Sequence, residues 1–298
     1  MIDDFGLPQN LKNIHGIQYR IDNTMNKMIA IIILSIVSLI LIIIIVTRIS
    51  GSYEFDKDVS ELFSQSQKTT NKTFHYEQLA GLPEPVYRYF RHVLKEGQPY
   101  IRYIRLKHDG QFKTDPHRSW ADIIGEQYFT TQKPGFAWKG ATNFFTARDM
   151  YIAGKGRLVV TALSMFKIVD NYGEKINQGE LLRWLGESVW FPTNLLPGEH
   201  LQWSPINSSS AKLTFNYNGL SVFYIVSINN IGEITQVESK RYMVNSLETW
   251  IGRFSNYKEM NGVIIPTKIE GAWKLLNEDF TYAKFNIKSI EYDKPEKF

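Results

Sequence analysis

The sequence predicts a mostly β protein with a few helices (α+β). Its core would be a large curved antiparallel sheet or half-barrel enclosing one or two helices, preceded by one transmembrane helix. Three observations carry this prediction. Met28–Thr47, MIAIIILSIVSLILIIIIVT, contains no charged residue. From Tyr100 onwards apolar and polar side chains alternate with a period of two, as a pleated strand requires. The alternation of strands with crossover helices that parallel sheets need is missing, so the strands are expected to pair antiparallel.

The elements follow in order. Residues 1–27 are polar without sustained periodicity and read as a flexible tail. Residues 28–47 read as the transmembrane helix, because about 20 helical residues at 1.5 Å each span a hydrocarbon core of about 30 Å. The run is longer than a signal peptide's apolar region and no small-residue cleavage pattern follows, so an uncleaved anchor is expected. Lys12, Arg20 and Lys27 precede it while Arg48 and Lys57 follow, which favours a cytoplasmic N-terminus and a C-terminal part outside the cytoplasm. Residues 48–77, rich in Ser, Thr, Lys, Gln and Asn, read as a juxtamembrane linker with one helical turn near Val59–Phe63.

Residues 78–298 are expected to form the β-rich domain. It opens on a short helix in LPEPVYRYFRHVL (Leu82–Leu94), where Pro83 and Pro85 suit a helix entry and Val86, Tyr89, Phe90 and Val93 make one apolar stripe. TKIEGAW and KLTFNY alternate as strands, and Asn218-Gly219 and Asn261-Gly262 mark two-residue hairpins. Asp109-Gly110 reads as a third turn or a bulge within one strand, and GKGRL (Gly154–Leu158) as a hairpin turn. QYFTTQKPGFAWKGA reads as two paired strands with Phe136 and Trp138 on one face. AKFNIKSIEY changes phase between Ile287 and Ile290, as a β-bulge would make it do. LSVFYIVSI and RLVVTAL are apolar on both faces and are expected to be covered twice. So many strands rarely remain one flat sheet, hence the predicted curvature.

Composition narrows the function. A net charge of +4 with dispersed lysines and arginines lacks the concentrated basic face of a nucleic-acid reader, so no nucleic-acid partner is expected. There is no cysteine, hence no disulfide framework. The histidines show no metal-ligand spacing, and no nucleophile elbow or phosphate-binding loop is present, so neither a metal nor a cofactor is expected and no catalytic residue is assigned.

The candidate site centres on GELLRWLGESVWFP (Gly179–Pro192). Its Leu181, Trp184, Leu185 and Ser188 share a helical face, with Leu182, Val189 and Trp190 widening it. Glu180, Arg183 and Glu187 follow at neighbour spacings on the other face. That charged face reads as an ordinary ion-paired surface, as a polar anchor for a ligand head group, or as an acid and a base. Trp138, Trp184, Trp190 and Phe191 read as core or as the lining of an apolar pocket, with Glu180, Arg183 and Glu187 at its mouth.

The ordered blocks LPEPVYRYFRHVL, QYFTTQKPGFAW, GELLRWLGESVWFPTNLLP and YKEMNGVIIPTKIEGAW resemble a family of bacterial envelope proteins of unknown function, many with N-terminal membrane helices. The resemblance covers about Leu82 to Tyr292, and its most specific block matches Glu180, Leu181, Leu182, Arg183, Leu185, Glu187, Trp190 and Pro192. It implies membership and an envelope location but carries no activity. The inferred architecture is also similar to lipoprotein-carrier folds, an analogy of fold alone. The leading expectation is a single-pass membrane protein, its partners the lipid membrane through Met28–Thr47 and a lipophilic or amphiphilic ligand or envelope protein. The alternatives are a hydrolase of an envelope lipid or polymer using Glu180 or Glu187, and a structural scaffold of a membrane complex.

Overall fold

A computed structural model describes residues 9–66, 71–163, 165–276 and 278–298. Among these, the alternating stretches form thirteen strands in one curved antiparallel sheet. They are β1 (Tyr103–Phe112), β2 (Ala121–Thr130), β3 (Gly135–Ala141), β4 (Phe145–Ile152), β5 (Lys155–Ala162) and β6 (Phe166–Tyr172), then β7 (Leu201–Asn207), β8 (Ser210–Tyr217), β9 (Leu220–Ile228), β10 (Ile234–Met243), β11 (Ser246–Met260), β12 (Val263–Lys274) and β13 (Asp279–Tyr292). The helices are α1 (Gln9–Ser64), α2 (Glu84–Val93) and α3 (Glu174–Glu187). The spatial order is β6-β5-β4-β3-β2-β1-β13-β12-β11-β10-β9-β8-β7. Every neighbouring pair is consecutive in sequence except β1 with β13.

Local chemistry explains the turns and the register. Asn218-Gly219 and Asn261-Gly262 make two-residue turns, with all four residues at positive φ. The phase change in β13 is a bulge: Lys107 pairs with Ser289 and His108 with Ile287, leaving Lys288 over. Asp109-Gly110 lies inside β1 rather than at a turn. The hairpin before GKGRL turns at Ala153-Gly154, and Lys155 already begins β5.

The chain divides into two units, 1–50 and 51–298. In the first, residues 1–8 of the expected flexible tail lie outside the described residues, and residues 9–27 are helical. Helix α1 contains one stretch long and apolar enough to cross a bilayer. In the second unit, the segment expected to be a linker is helical through Ser64. Its Phe55, Val59 and Leu62 are buried with Tyr128, Ala137, Met150 and Ile152, a small core on the convex face of β2, β3 and β4. Sequence reading expected only one helical turn here, near Val59–Phe63, because five polar residues separate the three apolar positions, which make sense only against a sheet that comes later in the chain.

The expectation that both faces of LSVFYIVSI are covered is corrected by the same observation. In β9 only alternate side chains are buried, and Phe223 is exposed on the other face. The second layer covers β2–β4 instead, where α1 lies.

The main core fills the concave side. Helix α2 buries Val86, Tyr89, Phe90 and Val93, the predicted stripe. Helix α3 begins earlier than expected, at Glu174, and two short 3-10 turns, Ser188–Trp190 and Pro192–Leu195, continue it into the core. Pro192 holds Phe191 out of helical geometry, at φ −142° and ψ 68°, which redirects the chain between the two turns. Buried donors in this layer find backbone carbonyls. Trp184 donates to Thr130, Trp190 to Pro266, Trp203 to Leu195 and Tyr224 to Leu182, at 2.8–3.1 Å.

Candidate functional site: a buried charge cluster beneath α3

The charged face of α3 does not reach solvent; it is pressed against the sheet. Glu180 is 3% exposed and Glu187 8%. Arg183 sits between them and donates to Asp149 of β4 at 2.5 Å and to Glu187 at 2.9 Å. Its guanidinium also lies 4.9 Å from the ring centres of both Phe136 and Trp138. Glu187 accepts a second hydrogen bond, 2.7 Å, from Gln127 of β2. Glu180 accepts from Arg241 of β10 at 3.1 Å.

Charge balance governs the chemistry here. Asp149, Glu180 and Glu187 bring three negative charges and Arg183 and Arg241 two positive ones, a net of −1 if all ionise. Burying an isolated charge costs several kcal/mol, so a proton is favoured on one of the carboxyls. Burial, and then the neighbouring Asp149 carboxylate, push the Glu180 carboxyl up to about 8, against the opposing pull of Arg241 and Arg183. Glu187 is also raised by burial, with Arg183 pulling the other way. Asp149 Oδ1 and Glu180 Oε2 are buried and receive no donor from the described protein groups. A proton held between these two carboxyls supplies one and makes the cluster neutral.

A second polar contact closes the site towards β1. Trp138 donates its indole N–H to His108 Nε2 at 2.8 Å, so the imidazole carries its own proton on Nδ1. The His108 ring stacks on Phe285 with centroids 4.3 Å apart, and burial pulls its pKa down to about 4. Gly125 makes room for it, since a Cβ there would fall 2.2 Å from His108 Nε2. Gly125→Ala is therefore expected to displace the imidazole and strand the buried Trp138 N–H, a loss of about 1–3 kcal/mol measurable by urea unfolding. An unchanged midpoint would mean that the ring yields freely.

The structure thus gathers Glu180, Arg183, Glu187 and Trp138 into one cluster. Trp184, Trp190 and Phe191, at 1%, 1% and 0% exposure, lie in closed core beside it. Surface grooves occur elsewhere: one of about 210 Å³ is lined by Leu62, Thr130, Ile152 and Tyr217, and none of the seven candidates lines it. Asp149, Arg241, Gln127 and His108 complete the site and were not singled out by sequence. A signal existed for two of them. Asp149 falls in phase with inward-facing Ala147 and Tyr151, and Arg241 in phase with Val237 and Ser239, so each interrupts a buried face.

Residues 72–285 match a family described as a family of unknown function, DUF6544. The chain belongs to this family. The family match takes in every residue of the cluster. No curated protein matches the chain. Among solved structures, the fold is similar to a LolA superfamily protein from Nitrosomonas europaea, at 10% identity and a TM-score of 0.40, covering 70% of this chain and 92% of that one. It is also similar to a DUF1329 family protein from Desulfovibrio piger, at 10% identity and a TM-score of 0.32, covering 65% and 86%.

Proposed function

We propose that this chain is a single-pass membrane protein of the cell envelope whose β-domain binds a lipophilic or amphiphilic molecule between α3 and the concave sheet. In this reading Met28–Thr47 spans the bilayer, the N-terminus is cytoplasmic and the β-domain lies outside the cytoplasm. The observation that carries the binding reading is the cluster itself. Five buried ionisable groups sit against an otherwise apolar core, where a filled apolar contact would serve a scaffold as well or better. Strongly shifted carboxyls of this kind concentrate at functional sites. Gln127 Oε1 is a buried acceptor, and a ligand N–H would take the place of the proton between Asp149 Oδ1 and Glu180 Oε2, so the polar end of a ligand would be a hydrogen-bond donor. Its apolar part would take the place of α3 side chains on the sheet, with α3 moving outward.

The test is native mass spectrometry of the full chain, purified from membranes with a single-span protein as control. A co-purifying amphiphile, released in Glu180→Gln while the variant stays folded, is the expected result. No small molecule above the control level in either form would rule out the binding reading.

A further inference from the structure

Within residues 51–298, the course of α1 along the sheet has a definite direction. Leu62 lies at the start of β3, where a Cβ on Gly135 would come 2.6 Å from its Cδ1. Two turns earlier, Phe55 lies 4.8 Å from Lys139 Nζ, further along β3, and Glu54 and Asp58 both pair with Arg148 of β4. Followed towards its N-terminus, α1 therefore runs towards the β3–β4 turn. The chain enters the domain at that corner.

The same corner is apolar and uncovered. Phe144 on the β3–β4 turn is 71% exposed and Leu163 on the β5–β6 turn 55%. The two tips are joined, because Leu163 N–H donates to Phe144 O at 2.8 Å. Phe166 and Ile168 on edge strand β6, and Ile124 opposite Ala141 on the face that α1 follows, are also exposed. Leu163 has a φ of 49°, a left-handed conformation that bulky residues enter at a cost and that the Asn218-Gly219 and Asn261-Gly262 turns give to Asn and Gly. A strained, exposed leucine stabilises neither the turn nor the soluble surface. An apolar cluster on an exposed sheet edge is a liability unless something covers it.

We infer that this corner, with Phe144 and Leu163 at its tip, is a membrane-contact surface that rests in the lipid headgroup region. The inference depends on the reading of Met28–Thr47 as a bilayer span. Seven residues, 48–54, separate that stretch from Phe55, and even fully extended they reach about 25 Å at most. The turn tip lies four strand residues beyond Arg148, or about 13 Å. The tether is thus short enough to hold the entry corner against the lipid, where Phe144, Leu163, Phe166, Ile168 and Ile124 would meet it.

The chain has no cysteine, so single labelled positions can be read one at a time. Nitroxide labels would be placed at Phe144→Cys, Leu163→Cys, Lys133→Cys on the β2–β3 turn at the far end of β3, and Val37→Cys within the apolar stretch. The full chain would be reconstituted in phosphatidylcholine–phosphatidylglycerol vesicles, comparing accessibility to oxygen and to a water-soluble nickel chelate. Labels at Phe144 and Leu163 should favour oxygen severalfold over the label at Lys133, and so should Val37. A lipid-like Val37 with Phe144 and Leu163 matching Lys133 would overturn the contact surface while leaving the span intact. A water-exposed Val37 would overturn the span and the inference with it. Protection at Phe144 that vanishes as protein is diluted in lipid would identify a second copy of the chain as the occupant, and would also overturn the inference.

Discussion

Replacing Arg183 with methionine is expected to destabilise the β-domain by about 3–5 kcal/mol, the usual loss when one partner of a buried ion pair is removed. Arg183 neutralises Asp149 and Glu187 at once through two separate nitrogens. Methionine fills similar volume but leaves both carboxyls in an apolar layer, and both would take up protons. Lysine keeps the charge but not the fork, so Arg183→Lys should recover only part of the loss. Urea unfolding monitored by tryptophan fluorescence checks this, with the slope of the transition unchanged. A loss below about 1 kcal/mol would match a solvent-screened surface pair and would contradict the buried arrangement.

The second large effect is on pH dependence. Glu180 ionises near 4.5 in the unfolded chain and near 8 in the folded one, so the native state holds an extra proton between those values. Its contribution is complete below pH 4.5 and is lost as pH rises through 8. His108 acts in the opposite sense. Its folded pKa of about 4 lies below the ordinary 6.5 of a free imidazole, so it favours folding above pH 6.5 and loses that contribution as pH falls towards 4. The two oppose each other between about 4.5 and 6.5, and Glu180 acts without that opposition from 6.5 to 8. Across that upper window stability should fall by up to about 2 kcal/mol, one proton over one and a half pH units. Glu180→Gln mimics the protonated form and should flatten the decline. If wild type and variant follow the same curve from pH 6.5 to 8, the shared proton is not on the Asp149–Glu180 pair.

The fold was more legible in the sequence than the site because its determinants are local. A two-residue period, Asn-Gly turns and the phase slip near Lys288 each lie within a few residues, and each appears where expected. What covers a given face is not local. The second layer over Tyr128, Ala137 and Met150 is supplied by a helix more than sixty residues earlier, and no periodicity in the strands reports it. The site divides the same way. Glu180, Arg183 and Glu187 stand out because one helix displays them at neighbour spacings. Their partners Asp149 and Arg241 lie on β4 and β10, on opposite wings of the sheet, and only the curvature brings both to α3.

The order of the strands also has a bearing on how the chain is made. Strands β1–β6 form one meander of hairpins and β7–β13 another, and each can be laid down as its residues leave the ribosome. Among the described residues the one long-range seam in the sheet, β1 with β13, waits until β13 is made, about 170 residues after β1 is complete. Until then β1 presents an open edge, and the bulge at Lys288 fixes the register in which the late strand closes it. Slow or misregistered closure of this seam, rather than formation of either meander, should be the step at which nascent chains are lost.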